Sequence, residues 1–222
     1  MSQALETVVN ETGADPQWSV IWLHGLGADG HDFAPIVPEL VRDHWPAIRF
    51  VFPHAPVQPI TINNGLPMRA WYDIVGMDFR SRADSAGVAA SVQLLDGLIE
   101  AEIARGIPVE RILLAGFSQG GAVVLSSALR RRWPVAGLIA LSTYLPDAEA
   151  AAATAATEGP QPPVFMAHGQ NDPVIPQAVA VHSGQTLREL GFPVEWHSYR
   201  MLHQVLPEEI QALGDWLDAR FR

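Results

Sequence analysis

Apolar positions in this chain form short, nearly unbroken runs that alternate with longer stretches where they recur every three or four residues. Residues 19–23, 48–52, 111–115, 137–141 and 164–167 are runs of the first kind, and they predict strands buried on both faces. Residues 194–199 alternate apolar with polar, the period of a strand with one covered face. Val88, Val92, Leu95, Ile99 and Ile103 share one face of a helix predicted over 83–104. Further helices are predicted over 32–42, from Ser118 to Leu129, over 176–190 and over 207–221. The last opens with Pro207 and two glutamates, which suit a first helical turn. Strands alternating with helices imply an α/β fold, a mostly parallel sheet covered on both faces, with all 222 residues in one domain.

Two stretches interrupt the alternation. Residues 53–82 are rich in proline, glycine, asparagine and aromatics, and a segment that long without a clear period is usually functional or mobile. Residues 147–163 are alanine-rich and end in Gly159-Pro160-Gln161-Pro162-Pro163, which predicts a short surface helix and a linker.

Composition narrows the function classes. A formal net charge of −10 argues against nucleic acid or an anionic membrane as a partner. The single basic run, Arg130-Arg131-Arg132, falls where a helix ends, and a solvated helix terminus is the expectation. The absence of cysteine excludes disulfides and thiolate chemistry. Met1 to Glu6 shows neither the charged nor the apolar region of a signal peptide, and no apolar run reaches the length of a membrane span. A soluble cytoplasmic protein without stable membrane insertion is therefore expected.

The chemistry centres on Gly116-Phe117-Ser118-Gln119-Gly120, set between a predicted strand and a predicted helix. Glycines two residues either side of Ser118 leave room for a strained turn that lifts the hydroxyl clear of the sheet and aims the first helical N–H groups beside it. A serine hydroxyl needs a base, and in a parallel sheet the base and its carboxylate lie on loops leaving later strands, in the order nucleophile, acid, base. Asp172 follows strand 164–167 and His203 follows strand 194–199, so both fall in that order. Ser118 is assigned as nucleophile, His203 as general base then acid, and Asp172 as the carboxylate that orients the imidazole. Taken alone, Asp172-Pro173 would equally serve as a turn starter and His203 as an ordinary loop histidine. His168, His182 and His197 are expected in structural or solvated places, and Ser126 and Ser127 sit inside a helix.

Gly25-Leu26-Gly27-Ala28-Asp29-Gly30 matches a dinucleotide-binding pattern after a strand, but the second strand ends in Phe52-Pro53-His54 with no acid to hold a ribose. Pro35 and Pro38 also spoil the helix that would cradle the phosphates. The segment fits better as a loop donating the Leu26 backbone N–H to an oxyanion, with the Gln119 N–H as second donor.

Together His24-Gly25-Leu26-Gly27-Ala28-Asp29, Ala70-Trp71-Tyr72-Asp73-Ile74, the segment around Ser118, His168-Gly169-Gln170-Asn171-Asp172-Pro173-Val174-Ile175-Pro176 and the segment around His203 resemble the phospholipase/carboxylesterase family of α/β-hydrolases. The resemblance runs from Val20 to the last helix. It implies an α/β-hydrolase fold without a large cap domain, the triad Ser118, Asp172 and His203, and oxyanion donors at Leu26 and Gln119. It also implies an acyl pocket lined by Leu66, Met68, Trp71 and Leu145, although Met68 and Leu145 serve equally well as core and Trp71 as a dimer contact. One departure stands out: the family usually has glycine before the catalytic histidine, and here Leu202 occupies that place. A positive φ there would cost about 1–2 kcal/mol; otherwise the loop takes another path or Leu202 narrows the site.

The leading expectation is a serine carboxylesterase acting on short-to-medium-chain esters through an acyl-enzyme, with no cofactor and no metal. An acyl-protein thioesterase or lysophospholipase is the alternative within hydrolases, and a non-catalytic binding protein on the same fold is the alternative outside them. The partner expected is a small ester or thioester, with a homodimer as a further option.

Overall fold

The computed structural model describes residues 5–79 and 81–221. Its sheet contains β1 (Thr7–Glu11), β2 (Trp18–Leu23), β3 (Ile48–Pro53), β6 (Ile112–Phe117), β7 (Gly137–Leu141), β8 (Val164–Gly169) and β9 (Val194–Tyr199), in the order β1-β3-β2-β6-β7-β8-β9. Every neighbouring pair is parallel except β1 with β3. A separate antiparallel hairpin, β4 (Val57–Ile60) and β5 (Leu66–Arg69), projects from the connection after β3.

The helices are α1 (Val37–Leu40), α2 (Ser85–Ala104), α3 (Gln119–Ala128), α4 (Ala148–Thr154), α5 (Gln177–Glu189) and α6 (Pro207–Asp218). Alternate residues of each strand feed opposite faces of the sheet. Ile21 and Leu23 pack with Val88, Val92, Leu95 and Ile99 of α2, with Ala122 to Leu125 of α3 and with Leu187 of α5. Val20 and Trp22 pack with Leu40 of α1 and with Leu213, Trp216 and Leu217 of α6. Apolar on both faces, the central strands can exist only between these two layers.

Four expectations need correction. The helix predicted over 32–42 shrinks to a 3-10 turn at Ala34–Ile36 and the single turn of α1, because Pro35 and Pro38 fall inside it and Val41 turns extended. The 53–82 stretch is not structureless, since it holds the β4–β5 hairpin, whose Pro59 and Pro67 disguise it as loop. β1, a half-exposed edge strand, was not anticipated at all. Finally, Arg131 is not solvated. It takes φ +46° and is buried, its guanidinium donating to the carbonyls of Thr157 (3.0 Å) and Leu190 (2.6 Å), while Arg130 and Arg132 both reach Asp96.

Because β2, β3 and β6 to β9 all run in one direction, the loops that leave their carboxyl ends lie along one edge of the sheet. Residues 24–36, the β4–β5 excursion, Ser118, and the loops after β7, β8 and β9 meet there.

Candidate active site

Ser118 joins β6 to α3 with φ +52° and ψ −116°, a conformation that an L-residue holds only where its surroundings enforce it. Its N–H donates to the Leu141 carbonyl (2.9 Å), and its own carbonyl accepts from Thr143 Oγ1 (2.6 Å) and the Ala122 N–H (3.1 Å). The turn is also pinned by close packing. A Cβ on Gly116 would lie 2.4 Å from the Gly120 carbonyl carbon, and one on Gly120 would lie 2.3 Å from the Leu23 oxygen. Glycine at both places lets the helix start directly against the strands.

Three side chains from three connections meet here. Ser118 Oγ is 2.9 Å from His203 Nε2, and His203 Nδ1 is 2.7 Å from Asp172 Oδ2. Asp172 Oδ1 accepts from the N–H groups of Val174 (2.8 Å) and Ile175 (2.9 Å), which locks the carboxylate so that Oδ2 faces the imidazole. With Asp172 accepting at Nδ1, the His203 proton sits there, and Nε2 is left with a lone pair toward the serine hydroxyl. Ser118 and Asp172 are buried, while His203 keeps a partly open face.

His168 backs the carboxylate rather than the hydroxyl: its Nε2 donates to the Ile175 carbonyl (2.8 Å) and lies 3.4 Å from Asp172 Oδ2. Burial holds this histidine below its ordinary range, so it stays neutral beside Asp172. His197 stacks on Phe165 and pairs with Glu195, away from the triad.

The loop after β2 forms the other wall. His24 Nδ1 donates to the Gly25 carbonyl (2.7 Å), and His24 Nε2 accepts from the Ala55 N–H (3.0 Å). One donor and one acceptor define a neutral imidazole, and burial keeps His24 below the usual range in agreement with that. The Gly27 N–H donates to the Arg69 carbonyl of β5 (2.8 Å). Among the described residues, no protein acceptor is found for the N–H of Leu26, or for that of Gln119 at the first position of α3.

The side chain of Gln119 has a task that sequence reasoning missed. Its Oε1 accepts from the Trp71 N–H (2.8 Å) and its Nε2 donates to the Tyr72 carbonyl (2.7 Å), while Trp71 Nε1 donates to the His24 carbonyl (2.9 Å). The elbow, the segment after β5 and the loop after β2 are thereby tied into one frame. A long amide directly after Ser118 was the available sequence signal, since such a group buried among backbone atoms must find partners.

The expected acyl pocket separates into its parts. Trp71 is buried core and framework, with too little exposed surface to form a dimer contact. Leu66 is exposed on the hairpin, and Met68 is half-buried, its sulfur accepting from Asn63 Nδ2 (3.4 Å). Leu145 is buried and borders a cavity of about 260 Å³ with Phe79, Ala178, Val179 and His182, a cavity whose lining includes none of Ser118, Asp172 and His203. Leu202 is 54% exposed beside His203 and lies outside the left-handed region, so the strain conditional on a positive φ does not arise. A larger cleft of about 590 Å³ between α1 and α6 contains none of the triad residues. Gly25 to Gly30 does not lead into a helix that could hold a pyrophosphate. Among the described residues, no group of three or more His, Asp or Glu side chains forms a metal site, and no helix is long and apolar enough to cross a membrane.

Comparisons with known proteins agree with this architecture. A family model described as phospholipase/carboxylesterase matches residues 5–220. Acyl-protein thioesterase 1 of Neurospora crassa is 39% identical over 215 residues, covering 91% of this chain and 86% of the relative. Acyl-protein thioesterase 1 of Mycosarcoma maydis is 38% identical over 234 residues, covering 98% of each. Among solved structures, Arabidopsis thaliana SOBER1 superposes with a TM-score of 0.84 at 28% identity over 92% of this chain and 99% of that one. Zea mays acyl-protein thioesterase 2 gives a TM-score of 0.80 at 25% identity over 98% of this chain and 100% of that one.

Proposed function

Since this chain belongs to the phospholipase/carboxylesterase family and has the α/β-hydrolase fold, we propose that it is a serine hydrolase that cleaves long-chain acyl thioesters, with S-acylated protein as the substrate class. The observation that carries the chemistry is the continuous hydrogen-bonded line Ser118–His203–Asp172. His203 Nε2 takes the Ser118 proton as Oγ attacks the acyl carbonyl. Negative charge on the carbonyl oxygen is received by the N–H groups of Leu26 and Gln119, which have no competing protein acceptor among the described residues. Collapse expels the thiolate, which collects the proton from the imidazolium, and leaves an acyl-Ser118 ester. Water then repeats the sequence, with His203 as its base, and releases the fatty acid. Asp172 keeps its charge throughout and stabilises the imidazolium.

Two features favour a long-chain thioester over the short-to-medium esters expected from sequence. The relatives that match over nearly their whole length are acyl-protein thioesterases. Among the described residues, the exposed large apolar side chains, Val57 and Leu66 of the hairpin and Met77, Val174 and Leu202 among them, lie in the connections that leave the carboxyl ends of β3, β8 and β9, the end of the sheet that carries Ser118. Apolar groups gathered at that end of the sheet suit an acyl chain, and a thiol, with a pKa near 8.5, leaves without strong acid assistance.

The test is competitive turnover of an S-palmitoyl peptide against p-nitrophenyl esters from acetyl to palmitoyl, with Ser118→Ala alongside. The proposal expects kcat/KM to rise with chain length, the thioester to be preferred, and Ser118→Ala to abolish both. Preference for acetyl or butyryl esters would return the assignment to a short-chain carboxylesterase. Turnover that survives Ser118→Ala would refute the mechanism.

A further inference from the structure

In the proposed reaction, the loop from His24 to Gly30 has to keep the Leu26 N–H in place while charge develops on the substrate oxygen. It has little core of its own to do so. Leu26 is half-buried, Gly27 is exposed, and Ala28 and Asp29 are partly exposed. Its position is set by hydrogen bonds to neighbouring segments, and those at its two ends come from consecutive residues of the β3 exit. Ala55 N–H donates to His24 Nε2 at the start of the loop. At the far end the Gly30 N–H donates to His54 Nδ1 (3.1 Å).

His54 is well placed to transmit the rigidity of the sheet. It follows the last residue of β3, and its own N–H donates to the Glu6 carbonyl (2.9 Å). Gly30 is buried and lies so close to β3 that a Cβ there would come within 2.3 Å of the Phe52 oxygen. The imidazole accepts at Nδ1, which requires the His54 proton to sit on Nε2. His31 stacks obliquely on the outer side, ring centroids 5.5 Å apart. Between the two ends, the Ala28 N–H closes a turn onto the Gly25 carbonyl (3.3 Å) and the Gly27 N–H donates to the Arg69 carbonyl (2.8 Å), so Leu26 sits in a short turn held from β5 on one side and joined to Gly30 on the other.

We propose that His54 is a positioning residue for the oxyanion donor: its Nδ1 holds Gly30 against the end of β3 and thereby fixes the Leu26 N–H. This inference rests on the serine hydrolase reading. It concerns geometry in the transition state alone, so its signature lies in kcat. Misplacing a stabilising donor by about 1 Å can cost on the order of 100-fold, because oxyanion hydrogen bonds tighten as charge appears.

The experiment compares His54→Leu, which removes the acceptor, with His54→Asn, whose Oδ1 can take the place of Nδ1. kcat and KM are measured on one p-nitrophenyl ester, the Ki of a trifluoromethyl ketone reports the tetrahedral adduct, and Tm controls for folding. Expected for His54→Leu is a fall in kcat of roughly 10- to 100-fold with KM within about threefold, and a matching rise in the ketone Ki. His54→Asn is expected to recover most of both. A His54→Leu kcat within about twofold of the wild type would overturn the inference. So would His54→Asn impaired as deeply as His54→Leu, or a lost kcat with an unchanged ketone Ki. If His54→Leu does not fold, His54→Ala is read by the same criteria. Wild-type turnover that does not depend on Ser118 would instead overturn the hydrolase reading beneath it.

Discussion

Glu209 is the third residue of α6, and its side chain is completely buried, with no hydrogen-bond partner for either carboxyl oxygen among the described residues. Burial pushes its pKa from 4.5 up to about 8, and the nearby Leu206 N–H, which falls short of hydrogen-bonding geometry to the carboxyl, offsets only a small part of this. Near neutral pH the folded protein therefore keeps a proton that the unfolded chain releases. The sign follows: with the folded pKa raised, stability is fully present below about pH 4.5, falls as pH rises, and levels off above about 8. Each pH unit in that window costs roughly 1.4 kcal/mol, a few kcal/mol in all for a group this buried. Glu209→Gln keeps the shape and removes the titration. Urea unfolding of both proteins at about pH 5, 7 and 9 is the assay. Near-equal stability is expected at pH 5, with the variant ahead by a few kcal/mol at pH 9. Parallel stability–pH curves would refute the reasoning, since they would mean that the carboxyl ionises in the folded state as it does in the unfolded. The position matters for function too, because Leu206, at the start of α6, is three residues from His203.

Three further outcomes are expected. Asp172→Asn should lower kcat by about 10⁴-fold in single-turnover acylation with little loss of Tm, since an amide facing Nδ1 imposes the tautomer that puts a proton on Nε2. Gly120→Ala drives a Cβ to 2.3 Å from the Leu23 oxygen, so chemical denaturation should show a loss of about 3 kcal/mol or more. Asp96→Asn weakens contacts to Arg130, Arg132 and Trp133 at once. Because both arginines are nearly half exposed, a loss of only about 1–2 kcal/mol is expected by thermal unfolding, with kcat unchanged.

The residues that the structure joins around Ser118 were legible because the constraints on them are local. A glycine on either side of the turn, an aspartate just past an apolar strand and a histidine just past an alternating one are short-range patterns. The long-range partners were not. Trp71 looks like an exposed aromatic in a loop, and nothing nearby announces that its indole will reach the His24 carbonyl. Arg131 reads as one charge among three, whereas its place is decided by carbonyls 26 and 59 residues away. β1 and the β4–β5 hairpin escaped because half-exposed edges and prolines weaken the period that marks a strand. Leu202 shows the opposite failure. A family habit of glycine suggested backbone strain, and the loop simply adopts a conformation that leucine accepts.

The positive φ at Ser118 sets selection for folding against selection for turnover at a single codon. Glycine would relieve that backbone conformation, worth roughly 1–3 kcal/mol, and would erase the hydroxyl. A lineage under pressure to hydrolyse must keep the costlier residue and recover the difference in its core. A lineage released from that pressure would drift toward glycine at position 118, so the loss of activity would leave its mark at a residue whose backbone conformation favours that replacement.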